Sequence, residues 1–345
     1  MTDLGKIDRE FFDRRIYPHL GADREDVTLG PQHGVDFGII AVGGKAVVLA
    51  SDPLSLVPAL GFEKAAWFAV HVALSDAAVS GIPPSHLAVT FTLPPEMTDE
   101  EFGTVWETVD REAGELGVSV VTGHTARYGG CQYPWVGGAT ALAVGDPEDV
   151  VRPDGATPGD SVLVTKGPAV EVAGFLVTLF EDAVDLSEST IADAKERFWD
   201  MSPVRDALTA AAAGPVTAMH DATEGGLQGA LVELARASGV RLDVDADAVP
   251  VLPGVQEACD FFDIDPWAAT SEGTLLLTVD SSGVGDVLAA LEAEGIPAAE
   301  IGAVREDEAG EEAGSVFVEG ERVEHPEGDP SWAVFEEYAG TVGLE

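Results

Sequence analysis

The stretch Val216-Thr-Ala-Met-His-Asp-Ala-Thr-Glu-Gly-Gly-Leu-Gln-Gly-Ala-Leu-Val-Glu-Leu-Ala-Arg-Ala-Ser238 decides the fold of this chain. Val216 to Met219 is an apolar, β-prone run that ends on His220-Asp221. Thr223 is placed to cap a helix and Glu224 to sit in its first turn, where a carboxylate is favourable. Gly225 and Gly226 leave the backbone bare at that turn. From Leu227 the apolar positions 227, 230, 231, 234 and 235 recur at helical spacing. The order is therefore strand, acidic glycine turn, helix. Such a turn suits phosphate, because free N–H groups point at it. Asp221 and Glu224 would then need a cation between them and the phosphate, most simply Mg²⁺. On this stretch alone, an ordinary capped helix with solvated acids accounts for the residues equally well.

Outward from that stretch, composition narrows the field. At 345 residues the chain is long enough for two domains with cores of their own. Acidic residues number 62 against 18 basic ones, a net charge of -44, and the only lysines are Lys6, Lys45, Lys64, Lys166 and Lys195. A surface this acidic repels itself at low salt and is tolerated when salt screens it, as in a salt-rich cytoplasm. With no basic patch, nucleic acid and anionic membranes are not expected partners. The apolar fraction of 46% rules out an acidic disordered chain. Cys131 and Cys259 are too few for a disulfide framework and carry no metal-binding spacing, so both are expected to be buried and structural. There is no signal-peptide pattern and no apolar run of about 18 residues, so a soluble cytoplasmic protein is expected.

The rest of the chain alternates strands and helices. Residues 7–20 present Phe11, Phe12, Ile16, Tyr17 and Leu20 as a docking face. Gly43-Gly44 joins strands near 37–42 and 46–51 as a hairpin. Residues 62–80 read as a buried helix, and 98–116 as a helix capped by Thr98 with Glu101 three residues on. Strand 118–122 leads into Thr122-Gly-His-Thr125. Residues 145–160, rich in Pro, Gly and Asp, mark a boundary between domains at 1–152 and 153–345. Beyond it, strand 161–165 delivers Lys166-Gly167, and strands near 240–245, 274–279 and 298–304 alternate with helices. Both halves mix helices with antiparallel hairpins, so the class is α+β, mixed α/β, rather than doubly wound.

Asp36, Asp52, Asp76, Asp221 and Glu224 each stand at the end of an apolar element, beside Gly or Pro, or inside a buried helix. Runs such as Glu306-Asp307-Glu308 and Glu311-Glu312 are ordinary solvated surface. Isolated acids are better candidates for one cation and polyphosphate site, and oxygen-only ligation suits Mg²⁺. His124 can hydrogen-bond a phosphate or be a packed histidine. Lys166, closing a strand before Gly167, is a natural phosphate contact.

Taken in order, the motifs Gly34-Val-Asp36, Ser51-Asp52, Ser75-Asp-Ala-Ala-Val-Ser-Gly-Ile-Pro83, Thr122-Gly-His-Thr125, Thr165-Lys-Gly167 with Glu171, His220 to Leu227, and Ile264-Asp-Pro-Trp267 with Ser271-Glu-Gly273 resemble the aminoimidazole ribonucleotide (AIR) synthetase, or PurM-like, superfamily. Within it the similarity is to the HypE-type and archaeal AIR synthase-related members. The resemblance implies a two-domain fold whose N-terminal domain binds ATP and closes a shared β-barrel in a homodimer, followed by a C-terminal α/β domain. It implies Mg²⁺ ligands at Asp36, Asp52, Asp76 and Asp221. Nucleotide contacts are implied at Gly34, Asp36, Asp52, Asp76, Gly123, His124, Thr125, Thr223, Glu224, Gly225, Gly226 and Glu272, and a catalytic set of Lys166, His124, Glu171 and Asp221. The chemistry implied is ATP-dependent phosphorylation or activation of an amide, carbonyl or similar oxygen on a small-molecule or protein-borne acceptor, as in hydrogenase-type maturation. A non-catalytic nucleotide-binding assembly factor, or a small-molecule kinase like thiamine-monophosphate kinase, are the alternatives. HypE-type members end in a carbamoyl-accepting cysteine, whereas residues 341–345 read Thr-Val-Gly-Leu-Glu. His124 stands where the HypE type carries aspartate, and Ser75 where asparagine is common.

Overall fold

A computed structural model describes residues 5–307 and 313–342. Glu308, Glu311 and Glu312 of the acidic runs, and the last three residues of the terminal stretch, lie outside the described residues. The chain divides into two compact units. The first comprises Arg24–Gly30 and Asp36–Val150. The second gathers the chain from Val151 onward, together with Pro31–Val35 and the N-terminal residues up to Asp23. The short helix α1 (Arg9–Arg15) therefore belongs with the second unit, and none of its residues is buried.

The first unit is a six-stranded sheet with helices on one face. Its strands are β1 (Val27–Leu29), β2 (Gly38–Val42), β3 (Lys45–Ser55), β4 (Pro84–Leu93), β5 (Ser119–Arg127) and β6 (Trp135–Gly145). The order is β1-β2-β3-β6-β4-β5, antiparallel except for the parallel pair β4–β5. Gly43 and Gly44 turn β2 into β3 with φ of 60° and 83°, values that favour glycine. Helices α2 (Phe62–Ala78) and α3 (Asp99–Glu115) cover the face carrying Val48, Ala50, Leu87, Val89 and Ala139, and the core lies between the two layers. The expected capping box is present: Thr98 Oγ1 accepts from the Glu101 amide and Glu101 accepts from the Thr98 amide. His71 and Glu112, both buried, tie α2 to α3 at 3.2 Å, and Trp67 packs on the imidazole. Among the described residues of this unit no helix lies on the opposite face of the sheet, and there Val47, Leu49 and Leu142 are half-buried and Val144 is exposed.

The second unit is a seven-stranded sheet: β7 (Ser161–Thr165), β8 (Val216–Ala222), β9 (Arg241–Val244), β10 (Thr274–Val279), β11 (Ala298–Arg305), β12 (Ser315–Val318) and β13 (Glu321–Val323). Its order is β13-β12-β9-β11-β7-β10-β8, and only β9–β12 is parallel. Such a sheet is mixed α/β and not doubly wound, as the alternation of elements predicts. Helices α4 (Glu188–Glu196), α5 (Val204–Ala213), α6 (Gly226–Ser238), α7 (Val255–Phe262), α8 (Val284–Ala293) and α9 (Pro330–Ala339) complete it. The apolar stripe Leu227, Ala230, Leu231 and Leu234 of α6 packs on Val162, Val164, Ala218, Leu242 and Leu276. The segment after Glu171 is a π-helix, Val172–Leu176, continued by one α-helical turn. Burial pushes the Cys259 thiol up to about 12, which makes it inert packing, whereas Cys131 is only partly buried. Among the described residues no helix is long and apolar enough to cross a membrane.

Candidate functional site

In the second unit the strand–turn–helix order expected at 216–238 is present, but the turn is built differently. Strand β8 runs through Asp221 to Ala222, so His220 and Asp221 lie inside it, 2% and 1% exposed. Thr223 is not the cap. The N-cap is Gly225, in the left-handed region at φ 83°, and Glu224 precedes the helix. The Thr223 hydroxyl accepts from Lys6 Nζ at 2.7 Å, and Glu224 Oε2 accepts from the Lys6 amide at 2.7 Å. The N-terminal segment thus lies along the turn. The turn's N–H groups are not bare either: the Gly225 amide donates to Asp329 Oδ2 at 2.9 Å. The same carboxylate caps α9 by accepting from the Ser331 amide. A carboxylate from 104 residues away therefore sits at the amide where the sequence suggested phosphate.

The two glycines have packing reasons. A Cβ on Gly226, itself at φ 60°, would lie 2.4 Å from the Ala269 carbonyl and 2.7 Å from that of Trp267. The helix start is pressed against this loop, and the Gln228 amide donates to the Trp267 carbonyl. A Cβ on Gly225 would meet the His325 ring at 3.2 Å. Gly34, expected at a nucleotide, has Glu233 against it, whose side chain a Cβ there would meet at 3.0–3.2 Å.

Lys166 is buried, and its ammonium donates to the carbonyls of Asp200, Ser202 and Gly273 at 2.9–3.0 Å while facing Asp206 Oδ2 at 3.0 Å. Three carbonyls use all three of its protons. The geometry makes Lys166 a structural clamp between loops, against the phosphate contact its position suggested. Glu171 is different. Its Oε2 accepts from Thr270 Oγ1 at 2.6 Å and from the Glu272 amide at 3.1 Å. Desolvation outweighs those bonds and, with Asp329 and Glu224 adding like charge, pushes the carboxyl up to about 7. Glu272 is buried one residue before Gly273 and meets Glu171 through its backbone.

In the first unit, a cleft of about 590 Å³ opens on the sheet, lined by Ser51, Asp52, Thr90, Thr122, His124 and Thr140 among others. Ser51 Oγ and Thr140 Oγ1 are 2.6 Å apart across β3 and β6. Strand β5 extends to Arg127, so Gly123, His124 and Thr125 lie within an exposed edge strand rather than in a loop after it. His124 Nε2 is 3.0 Å from the Tyr128 hydroxyl, with the rings stacked. Gly123 is needed because a Cβ would fall 2.2 Å from the Val89 carbonyl. The alternation of β3 sets Asp52 with Val48, Ala50 and Leu54 on the helix-covered side. Asp76 follows Ala73 by three residues on α2, beside the stripe that covers the sheet. Asp36 is half-buried just before β2.

Residues missed from the sequence are Lys6, His33, Glu233, His325 and Asp329. Each acts through a fold contact distant in sequence. Only Asp329 carried a signal, standing before Pro330 as an N-cap.

With this geometry in hand, the chain can be set beside known proteins. Residues 34–145 match the N-terminal domain, and residues 157–313 the C-terminal domain, of the family described as AIR synthase related protein. The carbamoyl dehydratase HypE of Azotobacter vinelandii is 30% identical over 244 residues, covering 70% of this chain and 69% of that protein. The carbamoyl dehydratase HypE of Rhizobium leguminosarum bv. viciae is 28% identical over 281 residues, covering 80% and 78%. A crystal structure of the hydrogenase maturation protein HypE in complex with ATP matches with a TM-score of 0.67 at 25% identity, covering 92% of this chain and 91% of that one.

Proposed function

The chain belongs to the AIR synthase related protein family, and on that premise we propose that it is an ATP-dependent enzyme of the HypE-like type. It activates an amide, carbonyl or similar oxygen by phosphorylation. Similarity over four-fifths of the chain to a carbamoyl dehydratase HypE supports this reading, as does the fold shared with an ATP-bound HypE. The acceptor is a small molecule or a protein-borne group of the hydrogenase-maturation kind. The observation in the molecule that carries the reading is the end of β8, where a 1%-exposed aspartate, Asp221, stands before a glycine turn.

Transfer to an oxygen nucleophile needs positioning and charge neutralisation more than covalent help. Asp36, Asp52 and Asp76 in the first unit, and Asp221 in the second, each offer oxygen donors only, the ligand chemistry that Mg²⁺ takes. When bound, that ion would neutralise charge on the triphosphate. The remaining work belongs to the chain. Glu171, with a carboxyl near 7, is able to hold or release a proton at neutral pH. The His124–Tyr128 pair and the hydroxyls of Ser51, Thr90, Thr122 and Thr140 offer polar contacts on the open sheet face. That face, with Val47, Leu49, Leu142 and Val144, is the surface we assign to a homodimer.

The test is calorimetry with ATP and Mg²⁺ at high KCl. Wild type is expected to bind, and Asp221→Asn to bind at least tenfold more weakly while its melting temperature stays close to wild type. A wild-type protein that releases no heat with ATP under these conditions overturns the reading.

A further inference from the structure

We propose that Glu233 is a positioning residue that fixes the His220–Asp221 strand end against helix α6 by gathering three imidazoles around one carboxylate. The inference rests on reading Asp221, at the end of β8, as part of the nucleotide site. Glu233 lies on α6, two turns beyond the glycines. Its Oε2 is 2.9 Å from His220 Nε2. Its Oε1 is 3.6 Å from His325 Nε2 and 3.9 Å from His33 Nδ1. Three of the seven histidines of the chain, brought from positions 33, 220 and 325, thus face one side chain.

The packing is built around this group. Gly34 lies against the Glu233 stem, and Gly225 and Gly229 lie against the His325 ring, each at a distance that a side chain would violate or crowd. Burial alone would push the Glu233 carboxyl up, but the His220 hydrogen bond and the nearby His325 imidazole outweigh it and hold the group well below the usual carboxylate range. An ionised carboxylate only accepts, so the His220 nitrogen facing it must carry the proton. The strand's alternation then matters. His220 shares the parity of Ala218 and Ala222, which pack under α6, whereas Asp221 has the opposite parity. The turn that joins β8 to α6 has no side-chain cap from its own N-cap residue. The Glu233–His220 bond closes the strand–turn–helix loop from the other side, and it sets the orientation of the residue beside Asp221. Residues held this way in a polar network act together more than singly.

Two measurements test the assignment. Nitrogen-15 imidazole spectra of the wild type at one neutral pH are expected to show His220 as a single species protonated at Nε2. In Glu233→Gln, or in His325→Gln should the first variant fold poorly, that signature is expected to broaden or change. Calorimetry with ATP and Mg²⁺ is expected to show at least tenfold weaker binding in the variant at a nearly unchanged melting temperature. An unchanged imidazole signature overturns the inference, and so does a variant that melts lower but binds ATP like wild type. Failure of wild type to bind ATP would instead strike the nucleotide reading, and the imidazole spectra would still decide the positioning role.

Discussion

An ammonium group that donates to three carbonyls and faces a carboxylate is fully engaged before any ligand arrives, and Lys166 is in that state. Lys166→Met would leave Asp206 buried without its cation, and would take one donor from each of the carbonyls of Asp200, Ser202 and Gly273. Breaking one partner of a buried pair costs about 3–5 kcal/mol. Urea unfolding is expected to show a loss of that order, with ATP affinity of the folded fraction near wild type. A stable but ATP-blind variant would return Lys166 to the phosphate. Glu171 carries the opposite lesson, since its partners fail to offset its desolvation and the carboxyl rises to about 7. A carboxyl that is higher in the folded than in the unfolded chain contributes stability below its unfolded value near 4.5, and that contribution is lost as pH rises through 7. Glu171→Gln is therefore expected to flatten the fall in melting temperature between about pH 4.5 and 7 relative to wild type. Parallel curves for the two proteins would show that Glu171 does not titrate there.

At the scale of elements, most of the fold was legible where the signal was local. The Thr98–Glu101 box, the Gly43-Gly44 hairpin and the apolar run 274–279 were each read from neighbouring residues, and each is present. The misreadings come where a distant partner overrides the local pattern. Strand β5 runs on through Gly123-His124-Thr125 because β4 lies close enough to exclude a Cβ at Gly123. Thr223 lost the cap to Gly225 because the Lys6 ammonium takes its hydroxyl and Asp329 takes the Gly225 amide. No local pattern announces such long-range contacts. Two substitutions separate the cases. Thr98→Ala removes a local cap and is expected to cost about 1 kcal/mol in thermal or urea unfolding. Gly226→Ala combines φ 60° with a contact of 2.4 Å to the Ala269 carbonyl and is expected to cost more. If Gly226→Ala proved as stable as wild type, the close approach of the helix start to the 267–269 loop would be wrong.

For the whole molecule, net charge outweighs any single contact. A charge of -44 on 345 residues leaves most acids without a cation to pair with. Helix α3 shows the pattern, with Asp99, Glu100, Glu107, Asp110 and Glu115 exposed and Arg111 its only basic residue. Repulsion among such groups opposes the compact state and acts over about 10 Å at 0.1 M salt but only about 3 Å at 1 M. Raising KCl from about 0.1 to 1 M should therefore remove most of the repulsion between neighbouring acids. The melting temperature is expected to climb steeply over that range and to level off once screening is complete. NaCl should act like KCl if screening is the cause, whereas a rise confined to one cation would point to specific ion binding. Converting the five exposed α3 acids to their amides lowers local charge without touching the core. That variant is expected to melt higher than wild type at 0.1 M and to gain less from added salt. A wild-type melting temperature independent of KCl would mean that the acidic surface is energetically silent, and the salt-adapted reading of the composition would fall with it.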